Sequence, residues 1–231
     1  MSTNKTTDNS QAIPILVLIG PPGCGKGTQG DRIAEKLNIP KISTGDLFRE
    51  EIKRGTELGK KVTDIMSSGS LVDDATVLSV LESKISEDEC SRGFILDGFP
   101  RSLPQAKGLD EVFGNAGKNF TVKVIYIDVS DDTVINRICN RYYCTKCKTN
   151  YNKLYKNPKV DGTCDVCGAH DFAVRQDDTM EVVKHRLVTY HNQTEPVLDY
   201  YKKEDNVVSF DGNVEADDLF ESIVDWLSSA I

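Results

Sequence analysis

The sequence predicts an α/β fold, a parallel sheet flanked by helices, and three observations carry that expectation. Short apolar strands alternate with amphipathic helical patterns along the chain. The first strand runs straight into a glycine-rich turn that opens a helix. Two segments, 43–72 and 143–175, break the alternation and read as excursions from one sheet-based core.

The elements follow in order. Ile15–Ile19 is a continuous apolar run, the mark of a strand buried on both faces, and Gly20-Pro-Pro-Gly ends it. Helical spacing then runs through Ile33, Ala34 and Leu37. Further strands are expected at Gly93–Asp97, Val122–Val129 and Val207–Phe210. Helices are expected near 46–54, 57–67, 74–85, 102–113, 131–142 and 179–203. Pro196 should bend the last of these. A final helix, 216–228, puts Leu219, Ile223, Trp226 and Leu227 at i, i+4, i+7 and i+8, one buried stripe.

Composition bounds the function. With 231 residues the chain is long enough for one domain carrying insertions, without disulfide staples. Lys and Arg number 28 and Asp and Glu 36, a net charge of −8. That balance argues against coating nucleic acid or an anionic membrane, since both need a broad basic face. The longest apolar run, Ile13–Ile19, falls far short of the roughly 20 residues that cross a bilayer. The N-terminal stretch MSTNKTTDNSQ is polar, so no secretory signal is expected and a cytoplasmic protein is. Residues 1–12 read as a disordered tail.

Gly20-Pro-Pro-Gly23-Cys24-Gly25-Lys26-Gly27-Thr28 lies between a strand and a helix. Its glycines let backbone N–H groups converge on phosphate oxygens, and the helix N-terminus and Lys26 add positive charge. The usual loop places a hydroxyl directly after the lysine. Here Gly27 holds that place and Thr28 follows, a variant of the same device. The Asn-Lys-x-Asp guanine reader of GTPases does not occur.

A second anion site is expected among the nine arginines. Arg101 follows Leu96-Asp97-Gly98-Phe99-Pro100 at the carboxyl end of a strand, where open α/β sheets bind ligands. Arg137 and Arg141 are spaced i, i+4, as on one helix face. Arg175 precedes Asp177-Asp178, and Arg186 lies two turns further on. Guanidinium forks match phosphate oxygens, although any single one of these arginines also suits a solvated surface.

Seven cysteines, an odd number in a chain expected to meet a reducing compartment, favour metal ligation over disulfides. Cys144-Thr-Lys-Cys147 and Cys164-Asp-Val-Cys167 stand 16 residues apart, a spacing that suits tetrahedral Zn²⁺ held by four thiolates. His170 lies too far along to be a ligand and should face solvent. Cys24, Cys90 and Cys139 read as packing residues.

Taken together, five stretches resemble the adenylate kinases of the long-lid type. They are Gly20-Pro-Pro-Gly-Cys-Gly-Lys-Gly-Thr-Gln29, Ser43-Thr-Gly-Asp-Leu-Phe-Arg49, Gly69-Ser-Leu-Val72, Phe94-Ile-Leu-Asp-Gly-Phe-Pro-Arg-Ser-Leu-Pro-Gln105 and Arg137-x-x-x-Arg141. The likeness extends from about residue 13 over the rest of the chain. It implies a P-loop NTPase-type core (13–42, 73–137 and 176–231), a helical flap that binds the nucleoside monophosphate (43–72) and a zinc lid (138–175). It also implies the reaction ATP + AMP = 2 ADP with Mg²⁺, catalysed by a monomer whose partners are nucleotides rather than nucleic acid or membrane.

By the same resemblance, Lys26 and the loop of Gly20, Gly23, Cys24, Gly25, Gly27 and Thr28 would hold the ATP phosphates. Thr44, Arg49, Gly98, Arg101 and Gln105 would bind AMP, with Leu71 and Val72 flanking its base. Arg137, Arg141, Arg175 and Arg186 would surround the phosphates in transit, and Asp97 would hold Mg²⁺ through water. Three departures from the family fall on the donor side: Tyr151-Asn152 in place of a Tyr-His pair, Asn157-Pro-Lys159-Val in place of Asn-Pro-Pro-Lys, and Asp211-Gly-Asn213 without a following lysine. They leave GTP as a rival donor, whereas Thr44 disfavours a UMP/CMP kinase. Two rivals from other classes are a zinc-ribbon nucleic-acid binder with an ATPase core and a nucleotide-gated interaction module. The acidic charge opposes the first, and the second would need no second phosphate site.

Overall fold

The computed structural model describes residues 12–116, 119–203 and 206–230. The expected N-terminal tail, Ala12 apart, lies outside them. Five strands form one parallel sheet in the order β2-β3-β1-β4-β8: β1 (Ile13–Ile19), β2 (Lys41–Ser43), β3 (Phe94–Asp97), β4 (Phe120–Asp128) and β8 (Val207–Asp211). Side chains alternate across the sheet, and both faces are covered. Ile15, Val17, Ile19, Phe94, Leu96 and Val124 join one apolar layer, and Leu16, Leu18, Ile95, Ile125 and Ile127 the other. Burial on both faces is why β1 reads as an unbroken apolar run.

The first layer is covered by α2 (Thr44–Arg54), α3 (Glu57–Ser67), α4 (Asp74–Ile85), α5 (Leu103–Asn115) and α8 (Pro196–Lys202). The second is covered by α1 (Lys26–Leu37), α6 (Asp131–Cys139), α7 (Met180–Thr189) and α9 (Ala216–Ala230). One excursion follows β2 and the other follows α6. The first is the α2–α3 pair. The other is a three-stranded antiparallel sheet, β6-β5-β7, made of β5 (Arg141–Cys144), β6 (Asn150–Asn152) and β7 (Phe172–Ala173).

The structure corrects the sequence reading in three places. The expected helix over 131–142 stops at Cys139. The Asn140 side chain donates to the carbonyl of Asn136 (2.9 Å), and Arg141-Tyr-Tyr-Cys continues as a strand, as its aromatic residues prefer. Arg137 and Arg141 therefore do not share a helix face. The expected helix over 179–203 is α7, a π-helical turn over Tyr190–Thr194 and then α8. Pro196 has no N–H to continue the α ladder, and Glu195 instead donates five residues back to Tyr190 (2.9 Å). The three-residue β2 and the three strands of the second excursion were not expected.

Candidate active site

The phosphate loop lies where β1 delivers it, at the carboxyl edge of the sheet. Gly25 precedes α1 with φ of 111°, a left-handed conformation that L side chains rarely adopt. No side chain caps α1 and no acid occupies its first turn. By contrast, Thr56, Asp73, Ser102, Ser130 and Thr179 accept hydrogen bonds at the starts of α3, α4, α5, α6 and α7. The first-turn amides of α1 are thus left for an anion. Lys26 Nζ curls back over the loop, donating to the carbonyls of Gly20 (2.7 Å) and Pro21 (2.8 Å), and lies 3.4 Å from Cys24 Sγ.

Asp97 ends β3 beside this loop and is 9% exposed. A Cβ on Gly27 would sit 3.5 Å from its Oδ2, so the glycine leaves the carboxylate open to the loop. The strand then turns at Gly98, whose carbonyl accepts from Thr44 Oγ1 (3.0 Å) and Arg101 Nε (2.6 Å). The Gln105 side chain is buried and pinned at both ends. Its Oε1 accepts from Arg101 N (2.7 Å), and its Nε2 donates to Asp74 Oδ1 (2.9 Å), which Ser102 also shares. Leu71 and the buried Val72 lie between α3 and α4.

Five arginines converge across the cleft from this loop. Burial lowers the pKa of Arg101 to about 10, helped by the charges of Arg186 and Arg49. Burial likewise lowers Arg175 to about 10, with Arg141 and Arg49 adding to it. Burial pushes Arg186 down too, against the opposing charge of Asp177. Arg101 and Arg175 remain cationic at neutral pH, and the crowded like charges disfavour one another until an anion enters. Carboxylates hold several of them meanwhile. Arg141 grips the buried Asp178 with both Nε (2.8 Å) and Nη2 (2.6 Å), Arg186 pairs with Asp177 (3.0 Å), and Arg49 Nε donates to Asp46 (3.2 Å). Arg137 stands apart from this group. Its Nη2 donates to Gly212 O (2.8 Å) and its Nη1 to Cys24 O (3.5 Å), tying the phosphate loop to the turn after β8.

The four cysteines of the second excursion come together. Their sulfurs all lie within 4.8 Å of one another, with Cys144 to Cys167 at 3.6 Å and Cys147 to Cys164 at 3.5 Å. Metal–sulfur bonds of about 2.3 Å in a tetrahedron put sulfurs about 3.8 Å apart, so the cluster has the size of a zinc site. It is far too wide for disulfides, whose sulfurs sit about 2 Å apart. The two Cys-x-x-Cys turns are copies of each other. The first cysteine's N–H reaches the carbonyl five residues on (Thr149, 3.0 Å; Ala169, 2.8 Å). Its carbonyl accepts from the N–H four residues on (Lys148, 2.9 Å; Gly168, 2.9 Å). Both latter residues have positive φ, 63° and 68°. The Tyr151 hydroxyl donates to Cys164 Sγ (3.3 Å), which with nearby backbone N–H groups lowers the pKa of that thiol to about 6, against the effect of burial. His170 is exposed and bonds to Gly162 O (3.0 Å), outside the sulfur cluster.

Sequence reasoning missed several supporting residues. Asp74 orients Gln105, Thr194 Oγ1 holds the Arg101 carbonyl (2.8 Å), Asp178 braces Arg141, and Tyr151 supports Cys164. Only Asp177-Asp178, beside a lone arginine at a helix start, left a visible signal.

A parallel sheet ending in a phosphate loop, faced by a nest of guanidiniums, defines a P-loop phosphotransferase of nucleotides. The adenylate kinase family model matches residues 18–206. The adenylate kinase of Agathobacter rectalis is 44% identical over 209 residues, 90% of this chain and 97% of the relative. That of Thermosipho africanus is 44% identical with the same coverage, and that of Methanosarcina barkeri 41% identical over 208 residues, covering 90% and 95%. The chain belongs to the adenylate kinase family.

Proposed function

We propose that this chain catalyses Mg²⁺-dependent phosphoryl transfer, ATP + AMP = 2 ADP, beneath a lid braced by a structural zinc. The observation that carries this reading is the pairing of two anion sites. An uncapped helix with its phosphate loop lies on one side of the cleft, and Arg49, Arg101, Arg141, Arg175 and Arg186 on the other. A nucleotide-gated switch needs only the first.

Lys26, Thr28 and the loop amides would hold the ATP phosphates. Arg49 and Arg101 would grip the AMP phosphate, with Thr44, Gly98 and Gln105 lining its site and the backbone at Leu71 and Val72 beside the base. Gln105 keeps one N–H and one lone pair beyond its bonds to Asp74 and Arg101, enough to read an adenine edge. No general base is needed, because a phosphate with a second pKa near 6 is already an anionic nucleophile at neutral pH. What opposes reaction is repulsion between two polyanions, and the arginines answer it. Arg141 and Arg186 would exchange Asp178 and Asp177 for phosphate oxygens, and Arg175 would join them. Arg137, braced on Gly212 and Cys24, would serve the donor side.

Asp97 suits magnesium: a hard oxygen donor at the loop, with no side chain on Gly27 to fill the space. When bound, the ion would neutralise donor phosphate charge. The four thiolates suit zinc, which would cross-link the lid and do no chemistry, since four protein ligands leave no open position. As the family resemblance implies, the chain would act as a monomer.

A coupled assay with ATP or GTP as donor and AMP, CMP or UMP as acceptor tests the reading. ADP should form fastest from ATP and AMP with magnesium present. No ADP under those conditions would overturn it.

A further inference from the structure

Lys41 has no part in the scheme above, yet its ammonium lies at its centre. β2, which carries it, pairs with β3, which ends in Asp97. The stem of Lys41 packs over α1, where a Cβ on Gly30 would meet its Cδ at 2.8 Å. The side chain is 14% exposed. Its Nζ has three oxygen neighbours: Asp31 Oδ1 at 2.5 Å, Gly27 O at 3.2 Å and Asp97 Oδ2 at 3.9 Å. Asp97 is as buried as Lys41, with its side chain 12% exposed, while that of Asp31 is 65% exposed.

A buried carboxylate without a counter-charge is costly, so the ammonium compensates Asp97 when no metal is near. A hydrated divalent cation drawn to the same carboxylate meets a like charge a few ångströms away, in a cleft where water screens poorly. Asp31 and the Gly27 carbonyl already share the ammonium, a retreat that grows when magnesium takes Asp97. Gly27 also removes the hydroxyl that the usual loop places after its lysine, so the ion's hold on the protein leans more heavily on Asp97.

We propose that Lys41 is a positioning residue that competes with Mg²⁺ for Asp97 and thereby sets how strongly magnesium tightens donor binding. The inference rests on the reading of Asp97 given above. Calorimetric titration of the full chain with ATP and with Mg·ATP measures it as the ratio of the two dissociation constants. Magnesium is omitted rather than chelated, so that the lid cysteines keep their metal.

Lys41→Gln should widen the ratio by about three- to tenfold. Lys41→Arg, which keeps the charge, should retain the wild-type ratio. Asp31→Asn, which removes the retreat, should narrow it. An unchanged or narrowed ratio in Lys41→Gln, or a widened one in Lys41→Arg, overturns the inference alone. A wild-type ratio of one, or a ratio undiminished in Asp97→Asn, overturns the assignment of Asp97 as well.

Discussion

The sheet core and the lid solve the same problem by different physics. The core buries two continuous apolar layers on either side of five strands. In the lid only Cys144, Tyr151 and Cys164 are fully buried, with Tyr142 and Phe172 packed against them. Tyr142, Tyr151 and Phe172 form a ring cluster with centroids 5.5–5.7 Å apart, too little apolar surface to order some thirty residues. On the proposed function, four thiolates around a zinc would supply the missing cross-links. The lid is joined to the core through the Arg141–Asp178 pair (2.8 and 2.6 Å) and Asn152 Nδ2 to Arg137 O (2.8 Å). On the proposed function, Arg141 exchanges Asp178 for phosphate, which would free the lid to move as a body and exclude water during transfer.

The contrast can be broken in several ways, and the largest effect should come from the core side of the cleft. Arg101→Ala should lower kcat/KM by about 10- to 10²-fold, since one charge-assisted bidentate contact is worth roughly 1.5–3 kcal/mol. Zinc content and melting temperature should stay near wild type. Turnover like that of the wild type would remove the second anion site from the mechanism.

Metal removal probes the lid next. A chelator should lower the melting temperature by several degrees and expose the lid to trypsin at Lys146, Lys148 and Lys153. Emission from Trp226, the single tryptophan, packed beside Phe210 in the core, should not change at low temperature. Loss of Trp226 emission at the same chelator concentration would mean that lid and core unfold as one unit.

The smallest effect lies at the joint. His191, in the π-helical turn, faces Glu195 (2.8 Å) and Asp131 at the start of α6 (3.0 Å). The Glu195 hydrogen bond raises its pKa above the ordinary 6.5; burial opposes this and Asp131 adds to it. A raised imidazole contributes stability that is complete below the unfolded value and lost as pH rises through the folded one. His191→Gln should therefore lower the melting temperature more at about pH 5.5 than at about pH 9. An equal loss at both would show that the clasp does not depend on charge.

How much was legible in the sequence also divides along this line. β1 and β3 could be read because burial on both faces writes an apolar run, β4 and β8 because they are rich in β-branched and aromatic residues, and the phosphate loop because its glycines and lysine keep fixed spacing. β2 has three residues, too few for any pattern. In the lid, cysteines and turn formers mask the strands, and Arg141 was read onto a helix because charge spacing alone cannot see Tyr142 and Tyr143 pairing across a sheet. The clustering of the four cysteines was legible from Cys-x-x-Cys spacing. Their supporting Tyr151, like Asp74 and Asp178 in the cleft, depends on partners 13 to 37 residues away, which no local signal reports.

The helices on either side of the lid, α6 and α7, pack against each other and share one apolar layer. The chain therefore departs at residue 140 and rejoins after 175 at neighbouring points on the same flank. Such an excursion is a cassette: a short turn across the gap would delete the four-cysteine cluster while leaving the sheet's connectivity intact, and a lid of another length or chemistry would graft onto the same two ends.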